Sequence, residues 1–126
     1  TRVAASLATA GLAAPRLAEL PEPLRSDPDL PGVVRRMVAE GRLVALAHDH
    51  FADAAAIRRA IFDLRTQFAD RQSLTTSDLK QVLTVSRKYL IPLLEYLDRT
   101  GVTRRTGDER ALLPERGAGA AGSLEA

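Results

Sequence analysis

Two glycines, Gly41 and Gly101, impose the same plan twice on this chain of 126 residues. Before Gly41, Val33, Val34, Met37 and Val38 recur at helical spacing. Before Gly101, Leu90, Leu93, Leu94 and Leu97 do the same. A glycine just past the last periodic residue stops a helix, because it adopts a left-handed backbone at little cost. Each stop leads into a hairpin pattern, Leu43 to Ala47 with a return at Phe51, and Val102 to Leu113. Val33-Val34 aligns with Leu93-Leu94, and Met37 with Leu97. The shared feature is the pattern rather than the identity of the residues.

The second copy reads clearly. Asp53 can cap a helix whose apolar stripe is Ile57, Ala60, Ile61, Leu64 and Phe68. Arg58, Arg59, Asp63, Arg65 and Gln67 fall on the opposite, solvated face. Leu74-Thr75 is a very short strand. Thr75 to Asp78 resembles a capping box that opens a helix over residues 77–83. Thr84-Val85 turns, and Ser86 caps a longer helix reaching about Thr100. Pro92 removes the donor to the Lys88 carbonyl, so the helix either kinks there or absorbs a proline near its start. Strands over 102–105 and 110–113 flank the turn Thr106-Gly107-Asp108-Glu109. The fold class is therefore mainly α with small β-hairpins: tandem winged helix-turn-helix domains. Residues 1–52 form the first unit and 53–113 the second. The Gly/Ala-rich residues 114–126 are expected to be a flexible tail.

The first unit is patterned less well and is expected to be incomplete. Residues 1–14 are an Ala-rich helix candidate without the cleavage pattern of a signal peptide. Five prolines (15, 21, 23, 28 and 31) forbid one continuous helix and leave turns and a helix of one or two turns. The first regular helix is expected from Gly32, and His48-Asp49-His50 as a polar hairpin turn.

Little here could carry catalysis. With no cysteine, disulfides, thiolate zinc sites and cysteine nucleophiles are excluded, and a cytoplasmic location fits. His48 and His50 with Asp49 are too few ligands for a metal site. Ser73, Ser77 and Ser86 have no histidine base beside them, and neither a P-loop nor GxGxxG occurs. No apolar run approaches the roughly 20 residues of a membrane span. The chain is expected to be a monomeric binding module, with no enzyme activity, metal or membrane partner.

Charge placement says more than the net charge of +2. Between Arg71 and Leu113 lie eight Lys or Arg (71, 80, 87, 88, 99, 104, 105, 110) against five Asp or Glu (78, 95, 98, 108, 109). Arg87 and Lys88 occupy the first turn of the longer helix, where the dipole disfavours cations and favours anions. Acids would stabilise that turn. Arg104, Arg105 and Arg110 lie on the wing strands, and strand alternation aims only one of Arg104 and Arg105 at a given face. Tyr89 could stack on a base or pack its ring under the wing. Pattern alone leaves three ligands open: RNA, the palindromic DNA of a transcriptional regulator, and a docked protein.

A resemblance narrows the choice. The strings Ser86-Arg87-Lys88-Tyr89, Pro92-Leu93-Leu94-Glu95-Tyr96 and Thr103-Arg104-Arg105-Thr106-Gly107-Asp108-Glu109-Arg110 resemble the last winged helix of the bacterial selenocysteine-specific elongation factor family, SelB. The likeness covers residues 53–113, and residues 32–51 resemble the preceding domain. The resemblance implies binding of the selenocysteine insertion (SECIS) hairpin of selenoprotein mRNA, which tethers the factor near a recoded UGA codon. It implies contacts at Ser86, Arg87, Lys88, Tyr89, Arg104, Arg105 and Arg110. Glu109 departs from the basic residue often found in that turn. The family's GTPase and tRNA-binding domains precede its winged helices. GTP and Mg are therefore expected only there, and the ribosome and selenocysteyl-tRNA only through the full-length factor.

Overall fold

A computed structural model describes residues 2–114; the tail expected over 114–126 lies, beyond Pro114, outside the described residues. Helix α1 spans Arg2–Ala10, and Gly11 ends it in a left-handed conformation (φ 60°). A single 3-10 turn, Leu17–Glu19, occupies the proline-rich stretch. Helix α2 covers Leu30–Ala39, starting two residues before the expected Gly32 because Pro31 fits the first turn. Strands β1 (Leu43–Ala47) and β2 (His50–Asp53) pair antiparallel, with an irregularity between Ala45 and Ala47. Then follow α3 (Ala54–Gln67), β3 (Leu74–Thr75), α4 (Thr76–Leu83), α5 (Arg87–Arg99), β4 (Thr103–Thr106) and β5 (Glu109–Leu112). The last sheet has the order β3-β5-β4.

The first half is not incomplete. Each element of the second half has a counterpart in it. Helix α1 matches α3, and an isolated bridge between Arg16 and His50 stands where β3 pairs with β5. The 3-10 turn matches α4, α2 matches α5, and β1-β2 matches β4-β5. The prolines shortened these elements without deleting them. The helix stops agree atom for atom. Gly41 (φ 75°) and Gly101 (φ 82°) close Schellman motifs. Arg42 N–H donates to the Met37 carbonyl at 2.9 Å, and Val102 N–H to the Leu97 carbonyl at 3.0 Å.

One local expectation needs correction. The turn is His48-Asp49, with Asp49 left-handed (φ 61°), and His50 already begins β2. His50 is buried, and its Nε2 bonds the Ala14 carbonyl at 2.7 Å. It faces inward because the antiparallel register sets it against the segment around Arg16. At Pro92 the second of the two alternatives holds: α5 continues through the proline as one helix.

One apolar cluster runs through both halves. Leu90, Leu93, Leu94 and Leu97 of α5 are each at most 2% exposed. Burying one such side chain contributes about 1.5–3 kcal/mol. Helix α5 also meets the first half directly: Arg99 donates to the carbonyls of Ala45 (3.2 Å) and Leu46 (3.1 Å) on β1. Helix α5 thus lies along the first hairpin.

Gly41→Ala tests the helix stop. No atom lies within 4 Å of an added Cβ, so only the left-handed backbone opposes it. The expected loss is roughly 1–2 kcal/mol in urea unfolding. A neutral result would mean that Gly41 does not need its positive φ.

Candidate nucleic-acid interface

The start of α5 is left open by local structure. At α3, Asp53 accepts from the Ala56 amide, and at α4 Thr75 and Asp78 form a complete capping box. Ser86 takes the N-cap position of α5 with extended backbone, but its hydroxyl makes no capping bond. Only its carbonyl is used, accepting from the Tyr89 and Leu90 amides. A free hydroxyl, exposed Arg87 and Lys88, and the positive end of a helix dipole face solvent together. The Arg87 side chain makes no hydrogen bond or ion pair with another of the described residues. Such an arrangement is suited to an anionic oxygen.

Lys88 differs from its neighbour. Its ammonium sits 2.7 Å from Glu19, in the 3-10 turn of the first half, and 5.5 Å from the Tyr89 ring centroid. The hydrogen bond and charge of Glu19 raise the lysine's pKa, and the same bond lowers that of Glu19. Tyr89 is half-buried beneath it.

The wing separates the three candidate arginines. Thr103 is buried, so Arg105 shares its face and Arg104 takes the other. Both Arg104 and Arg105 are exposed. Arg105 donates to the Gly107 carbonyl at 3.0 Å, tightening the tip, where Gly107 has φ 64°. The Arg104 side chain has no bonded partner among the described residues. Arg110 must be withdrawn as a direct contact. Its side chain is only 8% exposed, and it donates to both carboxylate oxygens of Asp98 (Nε at 3.0 Å, Nη2 at 2.9 Å). Cross-strand pairing with Arg105 turns it inward, over the last turn of α5. Glu109 is likewise occupied, accepting the Ser73 hydroxyl bond beside the β3-β5 ladder.

Asp98 was not among the sequence candidates. It joins Arg110 and the Thr103 hydroxyl (2.6 Å), fixing the wing to α5. Burial pushes its pKa up, but bonds from Arg110 and Thr103 outweigh that and hold it below the usual value. One signal pointed to it: an acid in the last turn opposes the dipole and needs a partner. Glu19 gave no such local signal, because its role arises only from packing of the two halves. Among the described residues, no group of His, Asp or Glu could hold a metal ion, and no helix is long and apolar enough to cross a membrane.

Comparison with known proteins follows this geometry. Residues 66–112 match the family model of the elongation factor SelB winged helix. A selenocysteine-specific elongation factor of Desulfomicrobium baculatum is 30% identical over 84 residues, which is 67% of this chain but 13% of that protein. The chain therefore spans about an eighth of that relative's length. The mRNA-binding domain of elongation factor SelB from E. coli, solved in complex with SECIS RNA, superposes with a TM-score of 0.60 at 28% identity, covering 68% of this chain and 70% of that one. A bacterial selenocysteine-specific elongation factor, EF-Sec, shares the fold over 90% of this chain and 18% of its own, with a TM-score of 0.65 at 21% identity.

The wing brace predicts a pH dependence. The folded pKa of Asp98 is lowered, so its stabilisation is complete above the unfolded value near 4 and is lost as pH falls through the folded value. Asp98→Asn should cost roughly 2 kcal/mol at pH 7, below the range for a fully buried pair because the aspartate is a quarter exposed. It should also flatten, without abolishing, the fall of melting temperature as pH drops below about 4. Parallel acid limbs for the two proteins would show that Asp98 gains nothing from Arg110.

Proposed function

We propose, from the premise that residues 66–112 are a winged helix of the elongation factor SelB family, that this chain binds the SECIS hairpin of selenoprotein mRNA. Bound there, it tethers its elongation factor near the recoded UGA codon. Two winged-helix units, residues 1–52 and 53–113, carry the task as a monomer in the cytoplasm. GTP, Mg, selenocysteyl-tRNA and the ribosome are engaged by other parts of the full-length factor, and this segment itself performs no catalysis.

The observation that carries this reading is the open start of α5, where Arg87 stands exposed and unpaired beside the free Ser86 hydroxyl. A-form RNA has a major groove too narrow to admit a helix, so α5 meets the hairpin at its loop. Ser86, Arg87 and Lys88 take loop phosphates, and Tyr89 offers its ring for an unstacked base to stack on. Arg104 and Arg105 take the flanking backbone from the two faces of the wing. Arg110 acts from behind, holding the wing in place through Asp98.

Binding of a fluorescent SECIS hairpin, compared with duplex DNA of equal length, tests the reading. The hairpin is expected to bind more tightly. Arg87→Ala should weaken it by roughly 1–3 kcal/mol if a base-specific contact is lost. If only a phosphate contact is lost, the salt slope should fall by about 0.7–0.9. Arg104→Ala should act in the same direction, with the melting temperature unchanged in both variants. Preference for the duplex would make this a DNA-binding regulator. Indifference to Arg87→Ala would move the site elsewhere.

A further inference from the structure

We propose that the outward face of α3 docks a second protein through an acidic amphipathic helix, which lays its apolar stripe on Ile61 and Phe62 and pairs its carboxylates with Arg58 and Arg65. The proposal is independent of the RNA-binding reading, because none of these residues belongs to α5 or the wing.

Phe62 is where this face departs from a merely solvated one. Helix α3 buries Ile57, Ala60 and Leu64, which satisfies its inner side. Phe62 lies off that stripe and is 64% exposed, the one large apolar side chain so exposed among the described residues. A single exposed apolar residue is ordinary, but Phe62 does not stand alone. With half-buried Ile61 it floors an open groove of about 580 Å³, bordered by Arg58, Arg65 and Thr66. A second hollow continues past Arg65, over Phe68 and Leu112. The two adjoin at Arg65, so a concave strip follows α3 from Arg58 to Ala69. Over that stretch the helix rises about 16 Å, roughly three turns, the contact length of a short helix.

Both guanidinium groups that border the groove lack an anion. The Arg58 side chain has no bonded partner among the described residues. Arg65 makes one long donation, 3.3 Å, to the Leu113 carbonyl, and its Nε is shut away from solvent with no acceptor. A buried donor left unbonded is unfavourable, and turning the guanidinium to a carboxylate relieves it. The helix itself offers no such carboxylate: Asp63, the one acid of α3, is paired with Arg59 at 3.2 Å. Arg58 and Arg65 lie about 10 Å apart along the axis and on nearly the same side, two turns from one another. Glutamates two turns apart on a partner helix match them, with an apolar side chain between to meet Phe62. RNA phosphates carry the same charge, but a phosphate backbone gains nothing from the apolar floor. A protein helix uses the floor and the arginines together, and aromatic and arginine side chains are the ones enriched in protein interfaces.

The test uses all 126 residues and a fluorescent helical peptide of about 15 residues, with leucines on one stripe and glutamates two turns apart beside it. Saturable binding is expected, about tenfold tighter than for the same peptide with glutamine at those positions, and the difference should shrink as salt rises. Phe62→Ala should weaken binding about tenfold. Arg58→Ala and Arg65→Ala should weaken it about threefold each. Phe62 and Arg58 are exposed, so their variants should keep the melting temperature, and SECIS hairpin affinity should stay unchanged in all three. No saturation below about 1 mM peptide, or equal affinity for the glutamate and glutamine peptides, would overturn the proposal. Weaker hairpin binding by Phe62→Ala would overturn it by giving the face to RNA. Self-association that Phe62→Ala abolishes would give the face to a second copy of the chain. Tighter peptide binding by Leu124→Ser would give it to the chain's own end, and either result overturns the proposal.

Discussion

Burial of the α5 leucine stripe is the constraint on which the other features depend. Leu90, Leu93, Leu94 and Leu97 must face inward, and this fixes the rotation of the helix. Once that rotation is set, Arg87 and Lys88 have to project from its exposed start. Asp98, one residue past Leu97, has to meet the wing. Arg99 is carried onto the backbone of β1. Helix α5 therefore presents the two cations, anchors the wing and links the two halves. Loosening its stripe would disturb all three roles together.

The polar contacts around α5 divide by burial, and so by what they can do. Asp98, Thr103 and Arg110 form a largely enclosed group in which the carboxylate takes bonds from both partners. Removing one member would leave a buried charge without its partner, which is far more costly than losing a surface pair. That group suits a fixed geometry, the angle of the wing. Lys88 with Glu19 is exposed and so weakly held. It suits exchange with a ligand.

What could be read from the sequence follows the range of the interactions involved. The glycine stops, the leucine stripe and the Thr75-Asp78 capping box depend on residues within a few positions of one another, so periodicity and spacing disclosed them. Chain-local rules also singled out Arg87 and Lys88, as cations at the wrong end of a helix. The first half was underestimated because its prolines reduce α4's counterpart to three residues and β3's counterpart to one bridge at Arg16. No local pattern survives in pieces so short. Arg110 was misjudged because strand alternation gives a parity but not which parity faces the core. The register against Arg105 and the proximity of Asp98 decide that, and both are tertiary. Glu19 belongs to the same class, sixty-nine positions from its partner.

Taken along its length, α5 carries three charges that oppose its own dipole. Arg87 and Lys88 stand in the first turn, and Asp98 in the last, beside Arg99, whose sign is the favourable one. Each such placement is unfavourable by a few tenths of a kcal/mol to about 1 kcal/mol unless something compensates. The fold compensates two of the three: Asp98 through Arg110 and Thr103, and Lys88 through Glu19. Stability alone gives no reason for the third. Arg87 keeps its charge, its exposure and an uncapped helix end beside it, among described residues that offer it no acid. This inconsistency, resolved everywhere but at one position, is what the proposed RNA contact at Arg87 rests on. An RNA phosphate has the sign, the size and the acceptor oxygens to supply it.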